Sequence, residues 1–151
     1  MTTVELGQVA PRFVLPNQHG QEVDLLSLRG RPVLVIFFPF AFTGICSEEL
    51  RAVQQNLQAL SDTGARTVAV STDTMFTLRV FAEQEHYEFD LLSDHWPHGA
   101  TATAYGVFDS EHGCALRGSF LLDADGVVRW KVVNHISDAR DVQAHLAALR
   151  A

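Results

Sequence analysis

Short apolar runs alternate with helical patterns along this chain, and that alternation predicts an α/β fold around a central sheet. Three observations carry the prediction. Val33-Leu34-Val35-Ile36-Phe37-Phe38 is a continuous apolar run rich in Val, Ile and Phe, the pattern of a strand covered on both faces. Thr67 to Ser71 forms a second such strand, with Val68-Ala69-Val70 apolar throughout. Between the two, Leu50, Val53, Leu57 and Leu60 recur at threes and fours, the spacing of one helix face.

Taken in order, Arg12-Phe13-Val14-Leu15 reads as a short strand, Asn17-Gln18-His19-Gly20 as a turn, and Glu22-Val23-Asp24 as the returning arm of a hairpin. Ser27 to Gly30 is a loop or short turn before the first central strand. Pro39 cannot donate to a ladder, so that strand stops there. The following helix carries Cys46 and runs to about Ser61, with Gly64 as its stop. After the strand at Thr67 to Ser71, a helix spans Thr74 to Glu85 with Asp73 or Thr74 as cap, and Phe89 to Leu92 is another strand. Pro97 to Tyr105 makes a short helix closed by Gly106. Cys114 to Leu122 and Val127 to Val133 form a hairpin turned by Asp125-Gly126. Asp138 to Leu149 is a last amphipathic helix with Val142, Leu146 and Leu149 on one stripe. No repeat, linker or low-complexity tract interrupts residues 1–151, so one domain is expected.

Apolar residues make up 47% of the 151, enough for a real core. Eighteen acidic against 11 basic residues give a formal charge of −7, which argues against nucleic acid or an anionic membrane as partner. No apolar stretch approaches a membrane span, and Met1 to Ala10 lacks the blocks of a signal peptide, so a cytoplasmic location is expected. Two cysteines do not make a disulfide framework. Thr43 stands three residues before Cys46 and Glu49 three after, so there is no C-x-x-C and no dithiol oxidoreductase chemistry. Among the seven histidines, His95 and His98 flank Trp96-Pro97, where the proline opposes a helical pair, and no cluster completes a metal ligand set. Asp123 to Asp125 lacks the closing Glu of a calcium loop and reads as a hairpin turn.

The chemistry concentrates at Pro39-Phe40-Ala41-Phe42-Thr43-Gly44-Ile45-Cys46, where strand passes into helix. Cys46 falls at or near the first helical turn, an exposed setting in which free N–H groups and the macrodipole favour a thiolate. Thr43 can cap that turn and offer a hydroxyl, and Glu49 shares the helix face of Cys46. Along the strand that begins at Cys114, side chains alternate. Arg117 and Ser119 face one way, and Cys114, Phe120 and Leu122 the other. An Arg117 aimed at Cys46 therefore leaves Cys114 in the opposite apolar layer, whereas a Cys114 in a mobile loop would be available to a second thiol step.

Pro39, Thr43 and Cys46 match in order and spacing the signature of the peroxiredoxins, and the chain resembles that family over nearly its whole length. Gly7 to Phe13, Leu91-Leu92-Ser93-Asp94, Ala104-Tyr105-Gly106-Val107 and Arg117-Gly118-Ser119-Phe120 carry the resemblance further. Ala41 to Cys46 and Trp96-Pro97-His98-Gly99-Ala100 look most like the alkyl hydroperoxide reductase E-type, one-cysteine branch. The resemblance implies an α/β thioredoxin-like fold, a mixed sheet flanked by helices, with an N-terminal β-hairpin extension. It implies a thiol-dependent peroxidase that reduces hydrogen peroxide and organic hydroperoxides through a sulfenic acid at Cys46. Thr43, Arg117 and Pro39 are the accompanying catalytic residues, with Arg117 approaching from a neighbouring strand and Glu49 orienting it. No metal, haem or flavin is required. A homodimer is implied, with Phe40, Phe42 and Trp96 near its border. No Cys stands five residues after Cys46, where Arg51 lies, and none lies in Asp138 to Ala151. That departure from the two-cysteine branches favours an external reductant: thioredoxin, a glutaredoxin-like protein or a low-molecular-weight thiol. Two alternatives stay open, a redox sensor or relay, and an atypical two-cysteine peroxidase with Cys114 as resolving thiol.

Overall fold

The computed structural model describes residues 3–151, and its first element is the hairpin of β1 (Val14–Pro16) and β2 (Glu22–Asp24), paired antiparallel. Asn17 makes the turn by accepting the His19 and Gln21 N–H groups on its Oδ1, at 2.9 and 3.0 Å. A 3-10 turn at Leu25–Leu28, capped by Asp24, leads to β3 (Val33–Phe37). Then come α1 (Gly44–Gln55), α2 (Leu57–Asp62), β4 (Arg66–Ser71), α3 (Met75–Glu85) and β5 (Asp90–Ser93). The second half holds α4 (Ala100–Tyr105), β6 (Phe108–Asp109), β7 (Cys114–Ala115), β8 (Arg117–Leu122), β9 (Val128–Asn134) and α5 (Val142–Arg150).

Five strands form one mixed sheet in the order β5-β4-β3-β8-β9. β3, β4 and β5 run parallel, while β8 is antiparallel to both β3 and β9. Alternation along β3 explains its continuous apolar run. Val33, Val35 and Phe37 pack with Phe120, Tyr105 and the hairpin residues Leu15 and Val23. Leu34, Ile36 and Phe38 pack on the other side with Leu50, Val53, Leu78, Phe81 and Leu146 from α1, α3 and α5. Cys46 belongs to this second layer. Among the described residues, no helix is long and apolar enough to cross a membrane.

Several boundaries differ from the sequence expectation: β1 starts at Val14, not Arg12, and α4 at Ala100, not Pro97. The helix expected to reach Ser61 breaks at Asn56, whose side-chain amide donates to the Ala52 carbonyl at 2.8 Å and competes with the backbone ladder. The last helix starts at Val142 with Asp141 as its cap, so residues 138–141 form a loop. The strand expected from Cys114 to Leu122 is interrupted at Leu116, whose N–H bonds to the Val107 carbonyl at 2.7 Å. Cys114 pairs instead with Asp109 in the small β6–β7 ladder. Side-chain alternation therefore cannot be carried from Arg117 back to Cys114. Cys114 is buried, yet it lies outside both apolar layers, not in the one opposite Arg117.

Candidate active site

β3 ends at Phe37, and Phe38 still donates to the Val70 carbonyl at 2.9 Å before Pro39 interrupts the ladder. The loop that follows is held from two sides. The Ala41 N–H bonds to the Asp73 carboxylate at 2.9 Å, and the Phe42 ring lies 5.0 Å from that of Phe81. Phe42 has φ 66°, a left-handed conformation uncommon for an aromatic residue and costly unless its surroundings impose it. Thr43 then enters the helix with the extended backbone of a cap. Its hydroxyl, however, makes no cap bond. It donates to the Phe40 carbonyl at 2.8 Å, so its proton is committed and its lone pairs face outward.

Cys46 is the third residue of α1, within the turn whose N–H groups lack helical partners. The expectation of an exposed helix start does not hold for its side chain, which is fully buried. An open pocket of about 440 Å³ adjoins it, lined by Pro39, Phe40, Thr43, Ile45, Arg117 and Ile136 among others.

Arg117 projects from the start of β8 and is itself buried. Its Nε donates to the Ile136 carbonyl at 2.7 Å, while Nη1 reaches Cys46 Sγ at 3.2 Å and Glu49 Oε1 at 2.6 Å. Glu49 stands one turn after Cys46, also buried, and is clasped from the far side by Arg140. Arg140 bonds both carboxylate oxygens through Nε and Nη2, each at 3.0 Å, and its backbone N–H adds a bond of 2.6 Å. Burial alone would push the Glu49 carboxyl up. The hydrogen bonds and charge of Arg140, with the charge of Arg117, outweigh it and hold Glu49 below the usual carboxylate range. Two guanidinium groups thus share one carboxylate. The Arg117 end of this pair lies against Cys46 Sγ.

Pro39, Thr43 and Arg117 thus line one pocket, and Cys46 and Glu49 lie behind it in contact with Arg117. Arg140, Ser119 and His145 extend the cluster. Arg140 Nη1 donates to the Gly118 carbonyl and to Ser119 Oγ, and His145 Nε2 lies 2.8 Å from that oxygen. Arg140 has no signal of its own in the sequence, a basic residue between Asp138 and Asp141 in a polar loop before a helix. Cys114 is differently placed: burial, then the charges of Asp109 and Cys46, push its thiol up to about 11 against the pull of Arg117. Asp109, Glu111 and His112 bring three ligand atoms together at the surface, a grouping the sequence had not suggested. Their turn accounts for it, since Asp109 accepts from the backbone of Glu111 and bonds the His112 ring at 2.8 Å.

Comparison with known proteins adds to this geometry. The profile of the AhpC/TSA family matches residues 6–131. Alkyl hydroperoxide reductase E of Mycobacterium tuberculosis is 39% identical over 149 residues, covering 98% of this chain and 97% of the relative. Peroxiredoxin Bcp of Escherichia coli is 34% identical over 150 residues, covering 89% and 92%. The crystal structure of peroxidoxin BcpB from Mycobacterium tuberculosis superposes with a TM-score of 0.85 at 29% identity, covering 96% of both chains. AhpC of Enterococcus faecalis shares the fold, with a TM-score of 0.89 at 22% identity over 96% of this chain and 90% of its own.

Proposed function

Since this chain belongs to the AhpC/TSA family and is a thiol-dependent peroxidase, we propose that Cys46 is the sulfur that meets the peroxide. Arg117, Thr43 and Pro39 form its catalytic surroundings, and Glu49 sets the arginine. The observation that carries this reading is the 3.2 Å approach of Arg117 Nη1 to Cys46 Sγ beside an open pocket.

The Cys46 thiolate attacks one peroxide oxygen. An S–O bond forms as the O–O bond breaks, the sulfur is oxidised to a sulfenic acid, and the same two electrons reduce the peroxide. The departing oxygen leaves as hydroxide or alkoxide and takes up a proton to become water or an alcohol. Arg117 faces the oxygen on which negative charge develops, where a fixed donor acts most strongly. The Thr43 O–H donates its hydrogen bond to the Phe40 carbonyl, so its oxygen accepts from the peroxide O–H and does not donate to sulfur. Pro39 walls the pocket without adding a donor. The lining by Pro39, Phe40, Ile45 and Ile136 is rich in carbon, which suits organic hydroperoxides as well as hydrogen peroxide.

An external thiol condenses with the sulfenic acid, releasing water, and a second thiol displaces Cys46 from the mixed disulfide. Thioredoxin, a glutaredoxin-like protein or a low-molecular-weight thiol fits this role, and a reducing cytoplasm supplies all three. The protein acts as a homodimer. Phe40 and Phe42 after β3, Phe76 after β4 and Trp96 after β5 are all exposed, and all follow the carboxyl ends of parallel strands, at the end of the sheet where the pocket opens. Peroxide consumption with excess dithiol should continue through many turnovers in the wild type and vanish in Cys46→Ser. A single turnover would favour a sensor, and consumption surviving in Cys46→Ser would overturn the assignment.

A further inference from the structure

The buried network continues past Arg140 to a titratable group that the peroxide step does not itself need. His145 sits one turn into α5 and is 5% exposed. Its Nδ1 lies 2.9 Å from the Asp141 carbonyl, which can only accept. Nδ1 therefore carries the hydrogen, and Nε2 is an acceptor. Nε2 receives the Ser119 hydroxyl at 2.8 Å, and Ser119 Oγ in turn receives Arg140 Nη1 at 3.0 Å. Donation runs in one direction, from Arg140 through Ser119 to a neutral imidazole. From Arg140 the contacts lead through Glu49 and Arg117 to Cys46.

We propose that His145 is a positioning residue for the peroxide step. As a neutral acceptor it fixes, through Ser119, the guanidinium that aligns Glu49 and Arg117 on Cys46, and protonation of His145 slows the step. This inference rests on the reading of Cys46 and Arg117 given above.

The groups around the ring come from every element packed on it. The loop before α5 contributes Arg140, α1 contributes Glu49, and the helix cap contributes Asp141. β8 contributes the Ser119 hydroxyl, and β9 the Trp130 ring, edge-on at 5.0 Å. Both Glu49 oxygens are occupied by arginines, and an Asp141 oxygen is occupied by the Gln143 N–H. Burial, with the charge of Arg140, holds the ring below its ordinary value despite the Asp141 carbonyl and the carboxylates of Glu49 and Asp141. A proton on Nε2 turns the acceptor into a donor. Ser119 Oγ then receives two N–H groups, its own proton loses its partner, and two cations face each other across one oxygen. The arrangement relaxes only if Arg140 or α5 withdraws from Ser119.

The test is single-turnover oxidation of the full chain by hydrogen peroxide across mildly acid pH. Each rate is divided by the ionised fraction of Cys46, read from thiolate ultraviolet absorbance. Histidine NMR follows His145 in parallel, assigned by its loss in His145→Gln. The wild-type rate per thiolate should fall about threefold to thirtyfold, with the midpoint of the His145 titration. In His145→Gln, whose amide oxygen still accepts from Ser119 but does not titrate, the rate per thiolate should stay flat. Ser119→Ala should lose the fall while His145 still titrates. A wild-type profile that is flat through the NMR midpoint, or a fall retained in either variant, overturns the proposal. If His145→Gln does not fold, the wild-type comparison and Ser119→Ala decide it. Oxidation persisting in Cys46→Ser would instead defeat the underlying reading, so the two failures are distinguishable.

Discussion

Replacing Arg117 with alanine removes three contacts at once: the 2.7 Å anchor on Ile136, the 2.6 Å bond to Glu49 and the 3.2 Å approach to sulfur. The effects on stability and on rate should separate. Stripping one partner from a buried ion pair costs about 3–5 kcal/mol when the other charge is orphaned. Here Glu49 keeps Arg140 on both oxygens, so one carboxylate still faces one guanidinium. The stability loss should therefore fall below that range. The rate has no such reserve, since Arg117 is the cation that reaches sulfur. Loss of a preorganised donor at a reacting centre typically costs about 10²–10³-fold. Arg117→Lys should fall between, because an ammonium keeps the charge but cannot hold the Ile136 carbonyl, Glu49 and the sulfur together. Stopped-flow fluorescence from Trp96 and Trp130, at a pH where Cys46 is ionised in every variant, measures the rate, and urea unfolding measures the stability. A folded Arg117→Ala that oxidises within about twofold of wild type would refute this reasoning.

Two further outcomes are expected. Trp96 is 82% exposed, and Trp96→Glu should shift sedimentation from dimer to monomer; an unchanged profile would place the interface elsewhere. Glu49 and His145 are both held below their ordinary values, so in each case the unfolded chain binds the proton first and stability falls as pH falls. The His145 loss should begin near pH 6.5 and level off below its native value, and Glu49 should add its loss only below about pH 4.3. Asp94, pushed up by burial, acts with the opposite sign in the carboxylate range. Urea unfolding of His145→Gln should accordingly show a flatter profile between about pH 7 and 5 than wild type, and parallel profiles would contradict it.

What was legible in the sequence is what local chemistry dictates. The run from Val33 to Phe38 has no polar face, so its place in the centre of the sheet follows from composition. The spacing of Pro39, Thr43 and Cys46 lies within one strand-to-helix passage and carries its chemistry with it. Arg117 could be tied to that passage through the family resemblance. The remainder depends on tertiary partners. The Leu116 break arises because the β6–β7 ladder captures Cys114, and no residue near Leu116 announces it. Cys46 is buried among tertiary partners that include Arg117, whereas its helix position alone suggested exposure. The Thr43 hydroxyl turns to Phe40 because the loop folds back at Phe42, a left-handed position that no glycine or asparagine marks. Arg140, Ser119 and His145 come from a loop, a strand and a helix, and a single sequence has no pattern that joins them.

Peptide mapping by mass spectrometry after one equivalent of peroxide, with sulfenic acids trapped as they form, tests the central assignment most directly. The added oxygen should appear on the peptide containing Cys46 alone. Cys114, buried and held protonated at neutral pH, should remain a free thiol, and Cys114→Ser should oxidise at the wild-type rate. Oxygen found first on Cys114, or a disulfide joining Cys46 to Cys114 in one chain, would contradict the account.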